Sequence, residues 1–164
     1  MIVHACTSDA LPLDAALGAV VRELDTGIWR RRASDVAWVE IGRRVQLSRQ
    51  KDARLPEGAT IVDRRGKWRN PWRIDHLRGQ EKPWSVFCDS WPSRTWFDTE
   101  PEARAFSVGC HRSGLRGTTG LMGLIPVSIE DVRRELAPRP LLACWCALDV
   151  ACHADNYLEI IAGG

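Results

Sequence analysis

The chain has 164 residues, of which 45% are hydrophobic and 27% are charged, and its net charge is +2. This length is sufficient for one domain with its own core, and the composition excludes a disordered, fibrous or collagen-like chain. A net charge so close to zero gives no general indication of an acidic or a basic partner.

The sequence contains no signal for export or for a membrane. Residues 1–14 lack a cationic start and an apolar run, and nowhere do eighteen apolar residues follow one another. We therefore predict a cytoplasmic protein that has no membrane partner. In that compartment the six cysteines are expected to be reduced thiols.

Residues 1–42 are predicted to form an N-terminal helical extension packed on the domain, which comprises residues 43–164. Within this extension, residues 13–25 place leucines and valines at helical spacing, which favours an amphipathic helix ended by Gly27. Residues 28–32 form a short apolar-flanked segment, and residues 36–41 have the pattern of a weak strand.

A basic region follows. Residues 43–82 contain twelve lysines and arginines against five acidic residues, a net charge of +7, which is typical of a site for phosphate. Residues 49–58 are predicted to be a loop, and residues 60–62 a short β-branched strand. This strand leads into the turn-rich sequence DRRGKWRNPWRI, residues 63–74.

The loop over residues 63–74 mixes arginines with tryptophans. Guanidinium groups bind phosphate with paired hydrogen bonds, indole rings stack on bases, and an asparagine amide can bind a base edge or a sugar hydroxyl. The predicted ligand-binding residues are Arg64, Arg65, Lys67, Trp68, Asn70 and Trp72. In the alternative interpretation, the two tryptophans fill the core and the arginines are solvated.

The second half of the chain predicts alternating helices and strands. Capping-box patterns at Thr99 and Ser128 each open a helix, and Pro138 ends the second one. Five glycines between residues 109 and 123 predict a loop. Residues 141–146 are apolar on both faces, as in a covered strand, and a terminal helix follows from residue 152. We predict a single small α/β domain with a mixed or mostly parallel sheet flanked by helices.

The end of that strand and the start of the last helix carry a dense group of reactive side chains. Because alternate strand residues share a face, Cys144 and Cys146 point the same way. Cys152, His153 and Asp155 follow the strand, where α/β folds commonly bind ligands. We predict a catalytic or binding corner in which Cys152 is the candidate nucleophile and His153 or Asp155 the candidate acid or base.

Two other interpretations of this corner stay open. Cys144, Cys146, Cys152 and His153 have the ligand types and number of a zinc site, although their spacing differs from that of recognised zinc modules. Cys88, Cys110 or His111 would be further ligands in that alternative. In the third interpretation, Cys144 and Cys146 are core residues, since buried free cysteines usually pack as small apolar side chains. The main prediction includes no metal and no cofactor.

Two segments, residues 44–74 and 141–161, resemble the opening and closing motifs of domain-of-unknown-function family 4326. Those motifs are an RxQLSR lead, a strand and a W-G-N-P-F loop, and then an apolar strand into C-W-C followed by C-H-A-D and a leucine-rich helix. The resemblance covers about residues 43–162 and is least specific between about 80 and 125. It implies a small α/β domain of bacteria or their viruses, but no particular activity.

The family's motif residues correspond to Trp68, Asn70, Pro71, Cys144, Cys146, Cys152, His153 and Asp155. Two positions depart from the usual pattern: Arg69 stands in place of glycine and Trp72 in place of phenylalanine. Arg69 removes easy access to positive φ and adds a cation. The loop of this chain is therefore expected to differ in shape or to accept a more anionic ligand.

We predict that the basic loop and the terminal corner open onto one shared pocket. The first functional hypothesis is binding of a nucleotide, nucleoside or related phosphorylated ligand, with hydrolysis or group transfer as the chemistry if the protein is an enzyme. The alternative is a non-catalytic nucleic-acid-binding module, in one version with a zinc-stabilised Cys/His tail. A protein-interaction domain that uses exposed tryptophans is a third hypothesis.

Overall fold

A computed structural model of the chain describes residues 3–6, 20–34, 37–117 and 123–163. Within these ranges, no helix is long and apolar enough to cross a membrane. The described elements, in chain order, are β1 (Val3–Cys6), β2 (Val20–Glu23), β3 (Ile28–Ser34), β4 (Ala37–Gln46), β5 (Thr60–Ile61), β6 (Arg73–His76), β7 (Trp84–Cys88), β8 (Trp91–Phe97), α1 (Glu100–Leu115), α2 (Ile129–Asp131), which continues into a π-helical turn (Val132–Leu136), β9 (Leu141–Cys144) and α3 (His153–Ile161).

The described strands form two sheets. The larger sheet has the order β1-β2-β3-β4-β9-β5. Its β2–β3 and β3–β4 pairs are antiparallel, whereas β1–β2, β4–β9 and β9–β5 are parallel. The smaller sheet, β6-β7-β8, is antiparallel. The prediction of a small α/β domain with a mixed sheet is confirmed.

Strand β9 lies between β4 and β5, and its side chains are buried on both faces. Leu142, Ala143 and Cys144 are all in the interior, which explains why this strand has consecutive apolar residues instead of an alternating pattern. Helix α3 packs against β4 and β9. A Cβ atom at Gly42 would meet Leu158 of that helix at 2.6 Å, so glycine permits the close approach of β4 and α3.

The smaller sheet packs one face on α1. Val86 and Cys88 point into the core from this face. The register pairs Arg73 with Phe87 and Ser85 with Trp96, so the opposite face carries arginine and aromatic side chains. This sheet was not predicted from the sequence, because Pro92 and the serines of residues 85–93 interrupt any alternating apolar pattern.

The helix signals of the second half are confirmed, but the predicted glycine loop is partly wrong. The hydroxyls of Thr99 and Ser128 cap α1 and α2, and both capping boxes are complete. Helix α1 continues through Gly109 and Gly114 to Leu115. The side chain of Ile125 and that of Trp72 lie close above Gly114, so tertiary packing outweighs the low helix propensity of glycine. Residues 118–122 lie outside the described ranges.

The predicted N-terminal helix is wrong where the structure describes it. Residues 20–23 form β2, and β3 and β4 follow, whereas residues 13–19 of the predicted helix lie outside the described ranges. Val20 and Val21 are both fully buried, so this segment has apolar side chains on both faces of a strand. Strand β4 crosses the predicted boundary between residues 42 and 43, and the described part of residues 1–42 is an extension of the sheet.

Candidate functional site

Three cysteines converge where β9 ends and α3 begins. Cys144 is the last residue of β9, Cys146 follows two residues later, and Cys152 is the N-cap residue of α3. The Sγ atoms of Cys144 and Cys146 are 3.8 Å apart, which confirms that the two side chains share a face. All three Sγ atoms lie within 4.8 Å of one another. These three cysteines, like Cys88 and Cys110, are free thiols.

The three thiols of the cluster differ in their pKa values. Hydrogen bonds from the thiols of Cys144 and Cys146 lower the pKa of Cys152 well below its usual value, against the opposing effect of burial. The contacts of Cys144 with Cys146 and Cys152 raise its pKa. For Cys146 the contact with Cys144 lowers the pKa, but Cys152 and burial outweigh it and raise the value to about 11. Of the three thiols, Cys152, at the positive end of α3, is therefore the one whose thiolate form is favoured most.

His153 connects this cluster to strand β5. Its Nε2 atom hydrogen-bonds the carbonyl oxygen of Val62, and since a carbonyl only accepts, Nε2 carries the proton. Its Nδ1 atom lies 3.9 Å from the Cys152 Sγ, so in the neutral ring the lone pair of Nδ1 lies beside Cys152. Burial opposes a charge on His153, but the neighbouring Cys152 outweighs burial and raises the pKa of the ring.

The carboxylate of Asp155 makes its contacts with other groups of the protein. Its Oδ2 atom accepts from the Cys152 backbone N–H at 3.2 Å and from Arg22 Nη1 at 2.8 Å, and it lies 3.5 Å from Arg44 Nη1. Burial raises the pKa of Asp155 to about 6, against the opposing effect of Arg44 and Arg22. The carboxylate therefore caps α3 and pairs with two arginines of the sheet.

The two arginines also hold the loop that connects β9 to α3. Arg44 Nη2 donates to the carbonyls of Ala147 and Val150, at 2.9 and 3.2 Å, and also to that of Leu148. Arg22 donates to the carbonyls of Leu148 and Val150. These bonds fix the path of the chain between Cys146 and Cys152. Arg22 and Arg44 were not identified from the sequence, because buried arginines resemble solvated ones in composition.

A buried chain of hydrogen bonds joins α3 to the basic loop. The Asn156 amide donates to His111 Nδ1 at 3.0 Å, His111 Nε2 is 3.1 Å from the Tyr157 hydroxyl, and that hydroxyl donates to the Trp68 carbonyl at 3.1 Å. This order of donors requires a neutral His111. Burial agrees with it, since it lowers the pKa of His111 well below its usual value.

The tryptophans of the basic loop lie mostly in the core. Trp68 and Trp72 are each 6% exposed, and the ring of Trp68 packs edge-on against Tyr157. The Asn70 amide donates to the Ser107 hydroxyl at 3.0 Å, and its carbonyl oxygen accepts from the Trp72 N–H at 3.0 Å. These contacts match the alternative in which the tryptophans fill the core. Roles of Trp68, Asn70 and Trp72 in ligand binding stay predictions.

The arginines of the loop line an open cavity of about 750 Å³ beside the smaller sheet. Its basic lining comprises Arg64, Arg65, Arg69 and Arg73, and its aromatic lining comprises Trp72 and Phe87. Arg65 pairs with Asp63 at 2.6 Å and Arg73 pairs with Asp89 at 2.5 Å. Within the described residues, the side chains of Arg64 and Arg69 have neither a hydrogen bond nor an ion pair. Lys67 does not line this cavity, and it pairs with Glu135.

The prediction of one shared pocket is wrong. His153 and Asp155 are 7% and 5% exposed, and their contacts are internal. Among the described residues that line the arginine cavity, none belongs to the terminal corner. The two segments are adjacent, but the hydrogen bonds of Tyr157 and His153 join them through the interior. The physical reason is that Arg22 and Arg44 supply Asp155 with partners that are remote in sequence.

Sequence reasoning also missed residues of the cavity itself. Phe87 comes from the smaller sheet, which was not predicted. Arg69 departs from the family pattern and indicates a more anionic ligand, but the predicted binding residues do not include it. It now lies at the cavity without a partner within the described residues. The glycine-to-arginine difference was the one signal that could have identified it.

The fold and the two sites define a small α/β domain with a mixed sheet, a buried cysteine-rich corner and an arginine-lined surface cavity. A family model described as Domain of unknown function (DUF4326) matches residues 45–163. The chain belongs to that family, as the motifs at residues 44–74 and 141–161 predicted. No curated protein and no solved structure matches the chain significantly.

Proposed function

We propose that this protein binds a nucleotide or a related phosphorylated small molecule in the cavity lined by Arg64, Arg65, Arg69 and Arg73. The observation that carries the proposal is the pair Arg64 and Arg69, two exposed arginines beside one cavity without an ion pair within the described residues. Guanidinium groups without a protein partner keep their planar sets of donors available for phosphate oxygens.

The other two arginines of the cavity, Arg65 and Arg73, support the same preference for an anionic ligand. Arg65 and Arg73 each pair with one aspartate, so their charges are balanced within the protein, while Arg64 and Arg69 add two uncompensated positive charges. A phosphate group would balance these two charges. The acidic side chains on the cavity wall, Asp75 and Asp89, lie toward the smaller sheet, where Asp75 pairs with Arg94 at 3.2 Å.

Aromatic side chains and size favour a ligand with a flat apolar part. Phe87 is partly exposed and Trp72 contributes to the wall, and aromatic rings of this kind stack on bases. A volume of about 750 Å³ lies within the range of small-molecule sites. The phosphate would contact Arg64 and Arg69, and the base or another planar group would contact Phe87.

The loop is held in position before any ligand binds. The Asp63 carboxylate accepts from the Arg65 backbone N–H at 2.9 Å and from the Trp145 indole at 3.2 Å. Asn70 is fixed to Ser107, whose hydroxyl donates to the Trp72 carbonyl at 2.9 Å. A loop fixed in this way loses little conformational freedom on binding, which favours affinity.

The proposal concerns binding. A catalytic role for Cys152, His153 and Asp155 stays a prediction, and the geometry does not favour it, because these buried side chains do not line the cavity. Trp68 of the basic loop and Tyr157 of α3 are themselves buried and packed against each other.

Calorimetric titration with ATP, AMP, inorganic pyrophosphate and adenosine tests the proposal. We expect ATP to bind, AMP to bind more weakly and adenosine to bind weakest, because the phosphates contact the arginines. Arg64→Ala/Arg69→Ala should weaken ATP binding by about tenfold or more, since hydrogen bonds to charged groups contribute about 1.5–3 kcal/mol each.

The matched control is Arg54→Ala/Arg78→Ala, which removes the same charge from two exposed arginines that do not line the cavity. This control should bind ATP like the wild type. Equal weakening in both double variants would show a general charge effect and contradict the proposal. So would adenosine binding as tightly as ATP.

Single-stranded nucleic acid is a second candidate ligand, favoured by the outer face of the smaller sheet. There the Arg94 guanidinium lies 4.2 Å from the centre of the Phe87 ring and 5.8 Å from that of Trp96, which is exposed. Because Phe87 also lines the cavity, phosphate and stacking groups form one surface. Salt-sensitive binding of a single-stranded oligothymidine without binding of ATP would select this candidate.

A further inference from the structure

We propose that Cys144, Cys146, Cys152 and the Nδ1 atom of His153 bind one zinc ion in the interior of the protein. This site is separate from the arginine-lined cavity, and the inference does not depend on a ligand in that cavity. The ion would join the end of β9 to the start of α3.

The positions of the sulfur atoms fit a tetrahedral metal site. A Zn–S bond is about 2.3 Å long, so two sulfur ligands at tetrahedral corners lie about 3.8 Å apart. The Sγ atoms of Cys144 and Cys146 are separated by 3.8 Å, and all three Sγ atoms lie within 4.8 Å of one another. Bringing the three sulfur atoms to tetrahedral separations therefore changes their mutual distances by about one ångström or less.

His153 has the geometry of a metal-ligating histidine. Its protonated Nε2 donates to the Val62 carbonyl, and Nδ1, 3.9 Å from the Cys152 Sγ, is the ring atom left to bind an ion. Histidines that bind metals generally donate their other ring N–H to a carbonyl or a carboxylate, which fixes the ring. The carbonyl of Val62 therefore completes the outer shell of the site.

The surroundings would stabilise the charge of the centre. Three thiolates, one neutral imidazole and Zn²⁺ carry a net charge of −1. Arg104 Nη1 lies 3.6 Å from the Cys146 Sγ, and the Nε and Nη1 atoms of the buried Arg44 have no hydrogen-bond partner within the described residues. A buried guanidinium with unpaired donors is costly, and a neighbouring anionic centre would reduce that cost.

The donor set selects zinc among the common metal ions. Three thiolates exclude magnesium and calcium, which prefer oxygen ligands, and three sulfurs and one nitrogen are an established set for closed structural zinc sites. Asp155 is not a ligand in this proposal, because its Oδ2 atom binds Arg22 and the Cys152 N–H. All four positions are occupied by protein side chains, so the site would be structural.

Metal analysis of protein purified without a histidine tag tests the inference. We expect about one zinc per chain, and at least a tenfold lower zinc content in Cys146→Ser. Cys110→Ser is the matched control, since Cys110 is a partly buried free cysteine outside the cluster, and it should retain the metal. A metal-free wild type that takes up no zinc after reduction would overturn the inference, as would equal zinc in both variants.

Cobalt substitution of the wild type gives a result that does not depend on the folding of a variant. Co²⁺ bound by three thiolates and a histidine should give an intense sulfur-to-cobalt charge-transfer band and the visible bands of a tetrahedral ion, both removed by added zinc. The absence of the charge-transfer band, or the spectrum of octahedral cobalt, would overturn the inference. If Cys146→Ser fails to fold, the cobalt spectrum decides.

Discussion

The terminal corner and the arginine-lined cavity differ in what their side chains contact. At the corner, Cys152 and Asp155 are buried and their partners are internal. At the cavity, Arg64 and Arg69 are exposed and have no partner within the described residues. The comparison indicates that a dense motif can stabilise a fold, while a neighbouring, less regular segment is better placed to bind.

Asp155→Ala should give the largest loss of stability. The substitution leaves the buried Arg44 and the partly buried Arg22 without their carboxylate and removes the acceptor of the Cys152 N–H. Breaking a buried ion pair by removing one partner costs about 3–5 kcal/mol. Urea unfolding would measure the loss. Asp149→Ala, an exposed aspartate of the adjoining loop, is the control, and an equal effect of the two variants would contradict the structural role of Asp155.

Tyr157→Phe should have an intermediate effect. It removes the hydroxyl between the Trp68 carbonyl and His111 Nε2, and leaving such buried groups unsatisfied costs about 1–3 kcal/mol. Thermal unfolding would measure the change, with Thr95→Val, which removes an exposed hydroxyl, as the control. If both variants unfold at the wild-type temperature, the hydrogen-bonded chain does not join the corner to the loop.

Arg64→Ala/Arg69→Ala should have the smallest effect on stability. Both side chains are exposed and make no contact that the fold requires, so the free energy of unfolding should change by less than about 0.5 kcal/mol. Urea unfolding measures this change. A loss of 2 kcal/mol or more (about one lost buried contact) would show that these arginines stabilise the loop, and would remove the distinction between the two regions.

The C-terminal half of the fold could be predicted from the sequence, because the patterns that specify its elements span only a few residues each. The apolar run of β9 and the capping boxes at Thr99 and Ser128 each act within a few residues. Strand β2 could not be predicted in this way, because Val20, Val21 and Leu24 also fit the spacing of a helix. What makes residues 20–23 a strand is pairing with β1 and β3, which a local pattern does not contain.

The candidate site could also be predicted only in part. The convergence of Cys144, Cys146 and Cys152 followed from strand alternation and the position of a helix start. The burial of Asp155 could not be predicted from a local pattern, because its partners Arg22 and Arg44 come from strands more than a hundred residues earlier. The aromatic wall of the cavity was equally hidden, since Phe87 belongs to a sheet without a regular sequence pattern.

Hydrogen–deuterium exchange with and without ATP tests most directly which of the two regions binds. Amides that a ligand orders or covers exchange more slowly. We expect ATP to slow exchange in residues 64–65, 69–75 and 87–90, which line the cavity, and to leave residues 144–156 unchanged. Slower exchange confined to residues 144–156 would place the ligand at the cysteine-rich corner and contradict the account.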